Sequence, residues 1–91
     1  MVLPNTVTLH RAFPNPFNPF SKIPYSVNIA QSINISVYDI KGRQIDNLVN
    51  QYHTPGNYMT NFSGNNISSG IYFVTLKYKD GIQTQKIVYT K

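Results

Sequence analysis

The chain has 91 residues, no cysteine, a net charge of +5 and a charged fraction of 12%, about half the usual share. This excludes a disulfide framework and any zinc site built on thiolates. It also leaves a single small domain that buries somewhat more than about 60% of its unfolded surface, held by packing alone.

In chain order, Met1-Val2-Leu3-Pro4 has no basic segment followed by an apolar one, so it is not read as a signal peptide. Residues 1–9 are expected to be a linker or lead-in, and residues 10–91 the folded unit. Phe13-Pro14-Asn15-Pro16-Phe17-Asn18-Pro19 loses ladder donors at its three prolines, which favours polyproline II or an irregular edge strand. Phe13, Phe17 and Phe20 are expected to anchor it. Ile23 to Ile29 resumes as a strand. From 33 to 40 the chain alternates, with Ile33, Ile35 and Val37 on one face and Asn34, Ser36 and Tyr38 on the other.

Lys41-Gly42 turns the chain into a run from Gln44 to Val49 that pairs back or crosses to a facing sheet. Thr54-Pro55-Gly56-Asn57 fits a type II turn. Gly64-Asn65-Asn66 and Ser68-Ser69-Gly70 mark a further break. Asp80-Gly81 predicts a type I′ hairpin between Ile71–Tyr78 and Ile82–Tyr89. About seven short strands with turn signals every 8–12 residues describe an all-β, immunoglobulin-like antiparallel sandwich. Ile35, Val37, Val74 and Leu76 are its expected core, with Phe17 sealing one end. No apolar run approaches the roughly 20 residues of a membrane-spanning helix.

The chemistry-bearing residues are few. Catalysis by a nucleophile, a base and an orienting group would draw on His10, His53, Asp39, Asp46, Asp80 and the serines, but no G-x-S-x-G elbow is present. Without glutamate, a carboxylate pair would have to come from those three aspartates, and a calcium site would need them to converge. No catalytic residue, metal or cofactor is expected, and no phosphate-cradling glycine pattern occurs. The basic residues Arg11, Lys22, Lys41, Arg43, Lys77, Lys79, Lys86 and Lys91 are dispersed, which argues against nucleic acid as a partner. Seven tyrosines leave a carbohydrate-binding module as the runner-up, although tyrosine is also an ordinary strand residue. An immunoglobulin-like spacer of a secreted enzyme is the other alternative.

Taken in order, five segments resemble the type A C-terminal sorting domain of the type IX secretion system of Bacteroidetes and relatives. They are Phe13 to Pro19, Ile35-Ser36-Val37-Tyr38-Asp39-Ile40-Lys41-Gly42-Arg43, Pro55-Gly56, Ser68-Ser69-Gly70-Ile71-Tyr72-Phe73-Val74, and Lys86-Ile87-Val88-Tyr89-Thr90-Lys91. The chain departs from that pattern at Phe20, commonly small and polar, and at Lys41, commonly apolar. The resemblance implies a non-catalytic, monomeric module that directs a cargo through the periplasm and outer membrane to the cell surface or medium. Its implied partners are outer-membrane secretion and shuttle proteins and a sortase-like peptidase that couples cargo to lipopolysaccharide. Recognition is expected at Pro14, Asn15, Pro16, Phe17, Asn18, Pro19, Gly70, Lys86 and Lys91, with the terminal hairpin offering its sheet edge to the receptor. Gly42, Pro55, Gly56, Asp80 and Gly81 are assigned to turns.

Overall fold

The computed structural model describes residues 6–91. Seven strands follow one another: β1 (Val7–Leu9), β2 (Phe20–Val27), β3 (Gln31–Asp39), β4 (Gln44–His53), β5 (Gly56–Ser63), β6 (Gly70–Tyr78) and β7 (Gly81–Tyr89). All pairs are antiparallel and divide into a three-stranded sheet, β1-β2-β5, and a four-stranded sheet, β4-β3-β6-β7. This is the expected β-sandwich.

Period-two alternation decides which face each strand buries. On β3 and β6, Ile33, Ile35, Val37, Tyr72, Val74 and Leu76 point inward, and they meet Ile23, Tyr25, Val27 and Phe62 of the facing sheet. Ile35, Val37, Val74 and Leu76 are wholly buried and Phe17 closes one end of the core, as the sequence predicts. β4 pairs back onto β3 but slips register twice, between Ile35/Ser36 and Val37/Tyr38. The extra residue at the first slip lets the Asn47 amide turn onto the ladder, where Nδ2 donates to Ser36 Oγ at 2.9 Å. Such bulges bend and twist the strand that carries them.

Several expectations need correction. Val7, assigned to the lead-in, is buried in β1 and pairs with Val27. Residues 1–5 of that lead-in lie outside the described residues. The last hairpin forms, but its turn is Lys79-Asp80, because Tyr78 pairs with Gly81. Neither turn residue nor Gly81 has positive φ, so it is not the type I′ turn expected at Asp80-Gly81. Gly81 sits at the start of β7, where a Cβ would lie in ordinary contact, 3.4 Å from the Tyr78 hydroxyl.

Gly56 has φ 159°, far from the value of about +80° that a type II turn requires. Thr54-Pro55 instead carries the chain from one sheet to the other, pinned where Tyr58 Oη donates to Thr54 O at 2.6 Å. Gly42 does serve the turn assigned to it, at φ 82°. Of the three aromatic anchors in the proline-rich opening, only Phe17 is inside; Phe13 and Phe20 are exposed.

Candidate recognition surface

The opening segment and the terminal strand are built against each other. Residues 7–18 run alongside β7, tied first to side-chain amides of β7 itself and then, at Asn15 and Phe17, to its backbone edge. Gln83 accepts from Leu9 N at 2.7 Å and donates to Val7 O at 2.7 Å. Two residues on, Gln85 accepts from Ala12 N at 2.9 Å and donates to His10 O at 2.6 Å. Asn15 then faces the opposite way, donating to Lys86 O at 3.1 Å and accepting from Val88 N at 2.9 Å. Finally the Phe17 backbone donates to Val88 O at 2.9 Å and accepts from Thr90 N at 3.2 Å. A primary amide carries one acceptor and a donor pair in one plane, so each of these side chains imitates one peptide of a missing strand.

This arrangement corrects the expected mode of recognition. From Lys86 to Thr90 the edge of β7 is already hydrogen-bonded within the chain, and a receptor strand cannot add there without displacing residues 15–17. What the hairpin offers is its side chains and its outer face. Pro14, Asn15, Pro16, Asn18 and Pro19 are exposed beside it, whereas Phe17 is 1% exposed. Its ring packs on Tyr89 at 5.1 Å and on Phe62 at 5.7 Å. Phe17 therefore anchors the segment and has no ring surface for a partner.

Lys86 and Lys91 are exposed; Lys91 N donates to Ser69 Oγ at 3.0 Å, which holds the last residue against the loop before β6. Gly70 opens β6 at φ 155° and faces open space. The turn residues Gly42, Pro55, Gly56, Asp80 and Gly81 are not gathered at this surface. Asp80 and Gly81 lie at the other end of β7, and Pro55 and Gly56 lie at the β4–β5 corner.

Two further candidate groups, Asp39 and His53, are committed to local partners. Asp39 Oδ1 accepts from Lys41 N at 2.9 Å and from Arg43 N at 3.0 Å, and Oδ2 pairs with Arg43 Nε at 2.9 Å. The Arg43 backbone amide, with the Arg43 side chain and Lys41 amide behind it, holds this carboxyl below its ordinary pKa despite a smaller opposing effect of burial. His53 is buried between the sheets, its Nδ1 3.1 Å from Gln51 O and its Nε2 2.7 Å from Tyr25 Oη. Burial, with Tyr58 close by, pushes the Tyr25 hydroxyl pKa up.

The structure does bring one histidine to a serine: His10 Nε2 is 2.8 Å from Ser26 Oγ. Ser26 Oγ in turn donates to Asn57 Oδ1 at 2.8 Å, which leaves the hydroxyl accepting from the imidazole. No cluster of three metal-ligating side chains occurs among the described residues. Nor is there a row of tyrosine faces for sugar stacking: Tyr25, Tyr72 and Tyr89 are buried, and Tyr52 alone of the seven is strongly exposed, at 65%.

Sequence reasoning passed over Gln83 and Gln85, and read Gly64 as part of a chain break without its approach to Tyr89. The glutamines had a signal: they stand in phase with Ile87 and Tyr89, and polar residues on an inward-facing row need a partner. Gly64 had none, since its role depends on the Tyr89 ring, into which any Cβ at residue 64 would project. The sequence pattern of one family, described as the secretion system C-terminal sorting domain, matches residues 11–90. No curated relative and no solved structure matches the chain.

Proposed function

Because the chain belongs to the secretion system C-terminal sorting domain family, we propose that it is the address of a larger cargo protein, read by the type IX machinery as a folded surface. Membership in the family implies export to the cell surface or medium. The finer reading is a route through the periplasm and across the outer membrane, with outer-membrane secretion and shuttle proteins as receptors and a sortase-like peptidase as the later partner. The module contributes binding and no catalysis.

The observation that carries this reading is the family match across residues 11–90. Its start, Arg11, falls within the segment of residues 7–18 that runs alongside β7. The two parts proposed as the recognised surface, the exposed Pro14-Asn15-Pro16 and Asn18-Pro19 stretch and the lysines 86 and 91, are thereby held as one unit. Neither part is presented correctly without the other.

The test is a reporter carrying this chain at its C-terminus, expressed in a type IX-competent cell, with Lys86→Gln and Lys91→Gln introduced together. Exposed substitutions of this kind typically change stability by no more than about 0.5 kcal/mol, while they remove electrostatic steering toward an acidic receptor. The variant is expected to fold, to reach the surface more slowly and to accumulate in the periplasm. Export at the unaltered rate would remove both lysines from the recognised surface.

A further inference from the structure

The outer face of the four-stranded sheet is not uniform. One cross-strand row reads Gln44, Tyr38, Phe73, Lys86. In the next row toward the C-terminal end, Val88 stands opposite Ile71. Continuing the β3–β6 register one step beyond the Asp39–Tyr72 pair brings Ile40 beside Ile71. Ile40 is 71% exposed and Ile71 41%, while Tyr38, Phe73 and Val88 are half-buried. The row on the other side is polar throughout, Asn47, Ser36, Thr75, Thr84, with the two threonine hydroxyls 3.3 Å apart.

The contiguous apolar strip thus lies at one end of the face, while at the other end Ile82 stands exposed beside Lys77. The end that carries the strip is remote from Thr6, which receives a hydrogen bond from Asn28 N at the far end of β2. Exposed cations stand around the strip: Lys41 and Arg43 in the β3–β4 turn, Lys86 beside Phe73, and Lys91 at the chain end. The one carboxylate of that turn, Asp39, is already tied to Arg43. An apolar centre with a charged rim is the anatomy of a protein interface, and a rim of one sign selects a partner of the other.

We infer that this strip is the docking face for a protein surface of the export machinery with an apolar centre and carboxylates around it. The inference rests on the sorting reading and goes beyond it by extending recognition from the proline-rich opening and the two terminal lysines onto the outer face of β3, β6 and β7. A lipid surface fits less well. Membrane-surface binding works by sinking an apolar face into the acyl boundary, but Tyr38, Phe73 and Val88 are half-buried and, within the strip, the two isoleucines alone are exposed.

The test uses the full reporter fusion with Ile40→Asp and Ile71→Glu together. A control fusion carries Ser32→Glu and Thr84→Glu, exposed positions on the same face outside the strip. Loss of two apolar anchors should lower the rate of surface appearance by about tenfold or more, with the control near the unaltered rate. Lys41→Glu with Lys86→Glu, which leaves the apolar side chains in place, should slow export similarly and guards against a folding defect in the first variant. Normal export of both strip variants, beside a normally exported parent, overturns the docking face and leaves the sorting reading intact. A parent fusion that stays periplasmic overturns both. Sedimentation of the purified fusion with phosphatidylglycerol vesicles, abolished by Ile40→Asp/Ile71→Glu, would reassign the strip to a membrane and equally overturn the inference.

Discussion

Replacing Phe17 with alanine tests whether the proline-rich opening belongs to the folded unit. The ring is 1% exposed and sits between Phe62 and Tyr89, with centroid separations of 5.7 and 5.1 Å. Truncating a buried phenylalanine costs about 3–5 kcal/mol, the lost transfer energy plus the cavity left behind. A domain of this size holds about 5–15 kcal/mol in all, so about a fifth of its stability or more is at stake. With a urea dependence of about 1–1.5 kcal/mol/M, the unfolding midpoint should fall by about 2–5 M. Phe17→Leu, which keeps most of the volume, should cost less than about 1.5 kcal/mol. The alanine variant also loosens the backbone bonds to Val88 and Thr90 and bares an edge strand, so sedimentation velocity should show self-association that the parent lacks. A midpoint shift of less than about 0.5 M would mean that residues 13–19 contribute nothing to the fold, and the reasoning from the clamp would fail with it.

Three further outcomes follow from particular contacts. Gly64→Ala should cost about 1–3 kcal/mol by overpacking, because the added methyl meets the buried Tyr89 ring; an unchanged thermal midpoint would show that the ring can yield. Asn15→Ala should cost about 1–2 kcal/mol for its two hydrogen bonds and should speed hydrogen exchange at the Val88 amide, whereas Asn15→Asp should restore the bond from that amide and leave Lys86 O without its donor. Asp39 has a folded pKa below its ordinary value, so its contribution is present above that ordinary value and is lost as pH falls through the folded one. Asp39→Asn should accordingly lower stability at neutral pH and flatten the acid limb of a stability–pH curve, and an identical acid limb in both proteins would refute the assignment.

The strands and core were legible in the sequence because their cause is local. Alternation at Ile33, Ile35 and Val37 needs one inward face, and Tyr72, Val74 and Leu76 repeat the rule on the paired strand. Turn types were less legible. Aspartate and glycine tolerate positive φ without requiring it, and a shift of one residue placed the bend at Lys79-Asp80, leaving Gly81 inside the ladder. The clamp on β7 was least legible of all. Asn15 was singled out as a contact for a partner, yet its amide serves Lys86 and Val88, residues 71 and 73 positions away in sequence. No local pattern records a bond of that range. In the same way Val7 belongs to a strand too short to announce itself by alternation and is fixed by pairing with Val27 and by the Gln83 amide beyond it.

The central claim is that residues 11–90 are an export address read in the folded state. The most direct measurement is the distribution of a reporter fused to the intact chain in two otherwise identical hosts, one with a working type IX system and one lacking its outer-membrane component. The account predicts surface-bound or released reporter in the first and folded, periplasmic reporter in the second. Periplasmic retention in both hosts, with the domain shown to be folded by its resistance to protease, would contradict it.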